Sequence, residues 1–226
     1  MVLSVGETPT RGCAERRVLL FGLSADPPTG DEGHLGILRW AVTRESHPEL
    51  GGPVDAIWVL PVYRHVFDEK SGLAPFEDRV QMCRLAFENR GLPVEVKTLE
   101  RTLAEAHPGR RTGTMDLVEH CRRLEPNTLF GLLLGADTAR DLVHGRWRRG
   151  DELLSDVAIV VVPRVGVEVS NRDLAPLTLA EDAPAPLAGS STGARTRIRD
   201  RERFLDPLVA AYVRENGLYG GGRERI

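Results

Sequence analysis

Between Val18 and Leu38 the chain sets out the parts of a phosphate site in linear order. An apolar run, Val18–Phe21, is long enough for a buried strand. A loop of small and polar residues follows from Gly22 to Gly33, and an apolar-periodic segment begins at His34. A strand, a small-residue loop and a helix N-terminus direct free backbone N–H groups and the positive end of the helix dipole into one space. His34 falls at the mouth of that space, where a cationic or hydrogen-bonding imidazole can touch a phosphate. The distinctive parts of the loop are Gly22, Ser24, Asp26-Pro27-Pro28-Thr29 and Gly33-His34. Gly22 lets backbone pass close to a ligand, the two prolines stiffen the turn, and Gly33 removes bulk beside the helix start. No Lys-Ser or Lys-Thr follows the glycines, and there is no GxGxxG, so the loop is neither a P-loop nor a dinucleotide fingerprint. An ordinary strand-to-helix loop with a capping His would leave the same trace.

Three further groups carry the same chemistry. Ser190-Ser191-Thr192 precedes Arg195 by one helical turn. Hydroxyls there either cap a helix or donate to phosphate oxygens, and an arginine one turn on can fork onto the same phosphate. Arg197 and Arg199 are weaker candidates, because alternating positions do not share a helix face. Leu134-Gly135-Ala136-Asp137 follows an apolar run. Small residues there leave room for a base or ribose, and Asp137 can accept from hydroxyls, cap the next helix, or both. His65 and Lys70, with Arg79 beyond them, can supply positive charge to a triphosphate. Each is also compatible with a solvated loop, as Trp147 is with edge packing.

These residues need elements to place them. Val18–Leu23, Asp55–Pro61, Val94–Thr98, Thr128–Leu134 and Val157–Val162 read as strands, the last two being apolar throughout as in strands covered on both faces. Helical patterns fall at Gly33–Arg44, Pro75–Asn89, Thr114–Leu124 with Thr114 as N-cap, and Pro207–Asn216 ending at Gly217. Strands alternating with helices predict an α/β domain with a doubly wound parallel sheet. In such sheets ligands sit beyond the carboxyl ends of the strands, at the switch in strand order. The loops after Leu23, Leu60, Leu134 and Val162 should therefore converge. We expect a flexible leader over 1–16, one domain over 17–219 and a flexible tail over 220–226. Glu181–Gly189 reads as a Pro/Ala loop.

Composition narrows the classes. The 226 residues and 41% apolar content suit one sizeable core. A net charge of −3 gives no overall field for nucleic acid. The three cysteines, Cys13, Cys83 and Cys121, are far apart and form no CxxC pair, which argues against a disulfide framework or a structural zinc site. No apolar run reaches membrane-spanning length, and the N-terminal residues lack the apolar centre of a signal peptide, so a cytoplasmic protein is expected.

Taken together, Val18–Tyr219 resembles the nicotinate mononucleotide adenylyltransferases of the nucleotidylyltransferase superfamily. The family's Gly-Gly-Ser-Phe-Asp/Asn-Pro-Pro-His-x-Gly-His is matched by Gly22-Leu23-Ser24-Ala25-Asp26-Pro27-Pro28-Thr29 and Gly33-His34. Ser190-Ser191-Thr192-Gly193-Ala194-Arg195 is similar to Ser-Ser-Thr-x-Ile-Arg, and Leu134–Asp137 to Leu-Gly-Ala-Asp. Thr29 replaces the first histidine, and two extra residues separate Pro-Pro from Gly-His. Asp31 and Glu32 in that longer loop could repel phosphate or face solvent.

The resemblance implies a Rossmann-like nucleotidylyltransferase fold with a small C-terminal helical part. It implies joining of ATP and nicotinate mononucleotide to give nicotinate adenine dinucleotide and pyrophosphate, with Mg²⁺ carried by ATP and no protein metal ligand. His34, Lys70 and Arg195 would be catalytic. Gly22, Ser24, Thr29, Gly33, His34, Gly135, Asp137, Ser190, Ser191, Thr192 and Arg195 would bind ATP, and Thr114, Trp147 and Arg79 the acceptor. The partners are ATP and a pyridine mononucleotide, with no nucleic acid or membrane, and a homo-oligomer is compatible with it. A sister enzyme with another phosphorylated acceptor and a nucleotide-binding paralogue without turnover remain alternatives.

Overall fold

The computed structural model describes residues 16–63, 73–110, 112–164, 166–184 and 204–220. Its centre is a sheet of five strands: β1 (Arg16–Leu23), β2 (Ala56–Pro61), β3 (Val94–Val96), β4 (Thr128–Gly135) and β5 (Ala158–Val162). Their order is β3-β2-β1-β4-β5, and every pairing is parallel. The expected α/β class and parallel sheet are what the chain forms. β1 begins at Arg16, one residue inside the span expected as leader, because Arg16 already pairs with Thr128 in the sheet.

Alternation along the strands divides the core into two layers. Leu19, Phe21 and Leu23 of β1 join Ile57, Val59, Leu133, Val160 and Val162 on one face. That face is covered by α1 (His34–Thr43), α2 (Phe76–Phe87) and α8 (Pro207–Glu215). Val18, Leu20, Trp58, Leu60, Phe130, Leu132, Leu134, Ile159 and Val161 point to the other. There they meet α3 (Leu99–Ala106), α4 (Thr114–Leu124), α5 (Ala136–Val143), α6 (Gly150–Asp156) and α7 (Asn171–Leu174). Strands buried on both sides explain the unbroken apolar runs.

The chain moves outward from β1 through β2 to β3, then returns to the other side of β1 for β4 and β5. The order therefore reverses between β1 and β4, which opens a crevice beyond their carboxyl ends. The loop Ser24–Gly33 and the segment Gly135–Asp137 lie on its two sides.

Several helices start differently from the sequence expectation. Thr114 is not the cap of α4 but its first residue; Gly113 is the cap, and its N–H donates to Asp116 Oδ2 at 2.7 Å. Asp137 is not a cap either, because α5 is entered from Gly135. α8 follows expectation, with Asp206 accepting from Leu208 N at 2.9 Å, Pro207 in the first turn, and Gly217 at φ +62° beyond its end. Among the described residues no helix is long and apolar enough to cross a membrane. Cys83 and Cys121 are free and buried; burial pushes the Cys121 thiol up to about 12, so it stays protonated.

Candidate active site at the switch in strand order

β1 is the central strand, paired on both edges, and the loop leaving Leu23 starts from its carboxyl end. Thr29 and His34 then form a closed unit within that loop. The Thr29 backbone N–H donates to His34 Nδ1 at 3.0 Å, and Thr29 Oγ1 lies 2.8 Å from the same nitrogen. His34 N–H donates back to Thr29 Oγ1 at 2.9 Å. A backbone N–H can only donate, so Nδ1 must accept and the ring proton sits on Nε2. Phe21 of β1 supports the ring, with centroids 6.0 Å apart. Burial, with a smaller contribution from the nearby Arg164 charge, pushes the imidazole down to about 4. His34 is therefore a neutral Nε2–H donor at pH 7, and that atom has no partner among the described residues.

The same geometry bears on two sequence expectations. The first two N–H groups of α1 are not open to an anion: His34 N–H goes to Thr29 Oγ1, and Leu35 N–H goes to Thr29 O at 3.2 Å. Those two donors are satisfied from within the loop, and the imidazole Nε2–H stands beside them as a further donor. Thr29, expected on a phosphate oxygen, is 1% exposed, and its hydroxyl is spent on His34.

The two extra loop residues have a defined place. Asp31 pairs with Arg39 of α1 at 3.0 Å on an exposed surface, so its carboxylate is neutralised there. Gly36 of α1 makes room for this turn, since a Cβ would lie 2.1 Å from the Asp31 carbonyl oxygen. Gly30 N–H donates to Phe204 O at 2.9 Å, which fixes the loop to the C-terminal segment.

Across the crevice, Asp137 at the start of α5 pairs with Arg164 beyond β5 at 2.8 Å. β4 and β5 are neighbours with Gly135 opposite Val162, so the loops after them meet as expected. Arg164 belongs to no motif that the sequence displays; its position two residues past an apolar strand is the available signal. Gly22 borders open space, where a Cβ would meet no atom within 4 Å, while Gly33 is buried at the helix start and Ser24 is half-buried.

Arg79 is placed differently from the remaining acceptor candidates. It is 3% exposed and donates to Ala74 O, Ser24 O and Val62 O at 3.0, 2.9 and 2.7 Å. Its guanidinium ties the loops after β1 and β2 together instead of reaching out to a ligand. Thr114 and Trp147 belong to segments that do meet. Asp116, two residues after Thr114, accepts from Arg148 at 2.9 Å, directly after Trp147. Trp147 itself packs at the margin of the second core layer. Lys70, Ser190, Ser191, Thr192 and Arg195 lie outside the described residues, as do His65, Arg197 and Arg199.

No family model matches the chain. It is 35% identical over 212 residues to the probable nicotinate-nucleotide adenylyltransferase of Anaeromyxobacter dehalogenans (strain 2CP-1), covering 91% of this chain and 98% of that protein. It is 31% identical over 209 residues to the probable nicotinate-nucleotide adenylyltransferase of Myxococcus xanthus, covering 90% and 95%. Among solved structures, it is similar to a Plasmodium falciparum nicotinic acid mononucleotide adenylyltransferase complexed with NaAD. The TM-score is 0.67 at 21% identity, over 92% of this chain and 99% of the other. That likeness carries the fold, and the sequence relatives extend along nearly their whole length. With the switch-point crevice already in place, the chain belongs to the nicotinate-nucleotide adenylyltransferase family.

Proposed function

We propose that this protein transfers the adenylyl group of ATP to nicotinate mononucleotide, giving nicotinate adenine dinucleotide and pyrophosphate for NAD biosynthesis. The observation that carries this reading is the His34 imidazole, held as a neutral Nε2–H donor at the switch in strand order. A phosphate monoester has its second pKa near 6, so at neutral pH the acceptor is already a nucleophile. Its oxygen attacks the α-phosphorus of ATP. One P–O bond forms, the bond to the β-phosphate bridge breaks, and pyrophosphate carries the electron pair away. No general base is needed. Catalysis comes from alignment and from donors aimed at the phosphoryl oxygens.

In this reading His34 touches the transferring phosphate, and Thr29 acts through His34. Gly22, Ser24 and Gly33 shape the loop around the nucleotide. Gly135 and Asp137 face the adenosine, with Asp137 holding ribose. Thr114 and Trp147 serve the acceptor end, and Arg79 positions the two loops beneath it. By motif, Lys70, Ser190, Ser191, Thr192 and Arg195 bind the triphosphate. Mg²⁺ would be carried by ATP and held by the triphosphate and water, as that ion prefers, with no ligand from the protein. The residues present fit that arrangement: Asp26 is engaged by Ala74 N and Tyr219 Oη, and Asp137 by Arg164. The enzyme is assigned to the cytoplasm, with small nucleotides as its partners.

The test is an acceptor panel. Purified protein with ATP, Mg²⁺ and, separately, nicotinate mononucleotide, nicotinamide mononucleotide or phosphopantetheine is assayed for pyrophosphate. Release with nicotinate mononucleotide, and a product of dinucleotide mass, is expected. Release only with another acceptor, or with none, would overturn the reading.

A further inference from the structure

We propose that Tyr219 is a positioning residue for the phosphate-contacting loop, holding it through a buried polar node made with Asp26 and Arg79. The kinetic consequence rests on the adenylyl-transfer reading above; the structural one does not.

Tyr219 Oη donates to Asp26 Oδ1 at 2.5 Å. Asp26 is fully buried and stands three residues before Thr29, with two prolines between. The same carboxylate oxygen accepts from Ala74 N at 3.0 Å. Arg79, nearly as buried, donates to Ser24 O, Val62 O and Ala74 O. One node therefore joins the loop after β1, the end of β2 and the approach to α2. Its remaining member comes from the far end of the chain, 193 residues away.

Two observations indicate that this contact is built rather than incidental. Tyr219 has φ +57°, a left-handed conformation that a bulky aromatic residue adopts only when its surroundings hold it there, and Ala25, beside Asp26, has φ +55°. The C-terminal segment is also fixed at three points ahead of Tyr219. Phe204 O accepts from Gly30 N at 2.9 Å, Asp206 pairs with Arg90 at 2.5 Å, and Tyr212 Oη donates to Asp78 at 2.8 Å. The segment grips the loop at Asp26 and again at Gly30, on both sides of the Pro-Pro-Thr run that sets Thr29 and, through it, the His34 ring. Small displacements of a group that must meet a transferring phosphate are costly in rate.

The test is Tyr219→Phe, which keeps the ring packed against the first core layer and removes only the hydroxyl. With ATP and nicotinate mononucleotide, kcat should fall about tenfold, equivalent to about 1.4 kcal/mol, while KM for ATP changes less than threefold and Tm falls by less than about 10 °C. In a His34→Ala background the same substitution should cost less than threefold, because the group it positions is gone. A kcat within twofold of wild type, losses that multiply in the double variant, or a Tm fall above about 10 °C would each overturn the proposal. Amide exchange gives an arm independent of turnover. In Tyr219→Phe, the Ala74 N–H should exchange at least tenfold faster while amides of β4 are unchanged. Unchanged Ala74 exchange would overturn the node. Faster exchange in a protein whose wild type releases no pyrophosphate would leave the node standing and remove the adenylyl-transfer reading alone.

Discussion

Thr29→Val removes one oxygen from a sealed position and little else. Thr29 is 1% exposed, and valine has nearly its shape, so no cavity opens. What disappears is the acceptor for His34 N–H, now bonded at 2.9 Å, and the 2.8 Å contact on Nδ1. A buried N–H left without a partner costs about 1–3 kcal/mol, in the same range as the loss of an N-cap hydroxyl. For a domain of this size each kcal/mol lowers Tm by about 2–4 °C, so calorimetry should show a fall of about 2–12 °C. The second support survives, because the 3.0 Å bond into Nδ1 comes from the Thr29 backbone. The Nε2–H tautomer therefore persists and only the ring's aim loosens. In a pyrophosphate-release assay kcat should fall about tenfold, or about 1.4 kcal/mol. That is well short of the hundredfold or more expected when a donor to the transition state is lost outright. Thr29→Ser should recover most of the loss. Wild-type values for both Tm and kcat in the valine variant would refute the reasoning. So would a kcat loss as large as that of His34→Ala, which would make Thr29 a direct phosphate contact.

Gly36→Ala should destabilise the protein and disturb the extended loop, since its Cβ would meet the Asp31 carbonyl oxygen at 2.1 Å; a Tm equal to wild type would show that the turn sits elsewhere. The His34 imidazole, held down to about 4 in the free protein, should show by NMR no titration between pH 5.5 and 8. Adding ATP should then raise its pKa, because a nearby polyphosphate favours the charged ring. Glu100 bonds Tyr63 N at 2.9 Å, and burial pushes its carboxyl up to about 7 from 4.5. The folded state holds that proton more tightly than the unfolded one, so this contribution is full below about pH 4.5 and is lost as pH rises through about 7. Glu100→Gln should therefore gain stability at pH 8, up to about 3 kcal/mol, and little at pH 4; an equal effect at both would contradict it.

The strands are legible in the sequence because β1, β4 and β5 are buried on both faces, which writes itself as continuous apolar runs. The site proposed here is drawn from residue types at fixed spacing: Asp26-Pro27-Pro28, Gly33-His34 and Gly135-Ala136-Asp137. Short amphipathic helices are harder. α3, α6 and α7 expose most of their surface, and α6 is entered through Arg149 at φ +57°, which no residue type announces. Partnerships between distant segments are not legible at all. Arg79 reads as a free cation because a sequence does not show three carbonyls converging on one guanidinium. Thr29 reads as a ligand contact because its spacing to His34 does not show the hydroxyl turned inward. The acidic pair Asp31-Glu32 reads as a hazard to phosphate, whereas in the fold Arg39, further along α1, holds Asp31. Tyr219 stands in the sequence only as the last residue of the span that resembles the family, and its reach to Asp26 spans almost the whole chain.

The central claim is that His34, locked as an Nε2–H donor at the switch in strand order, stabilises the transferring phosphate. It is tested most directly by the kcat for pyrophosphate release from ATP and nicotinate mononucleotide in His34→Ala, compared with wild type under saturating substrates. The account predicts a loss of at least a hundredfold, about 2.7 kcal/mol or more, in a protein that still binds ATP. A variant that turned over at the wild-type rate would contradict it.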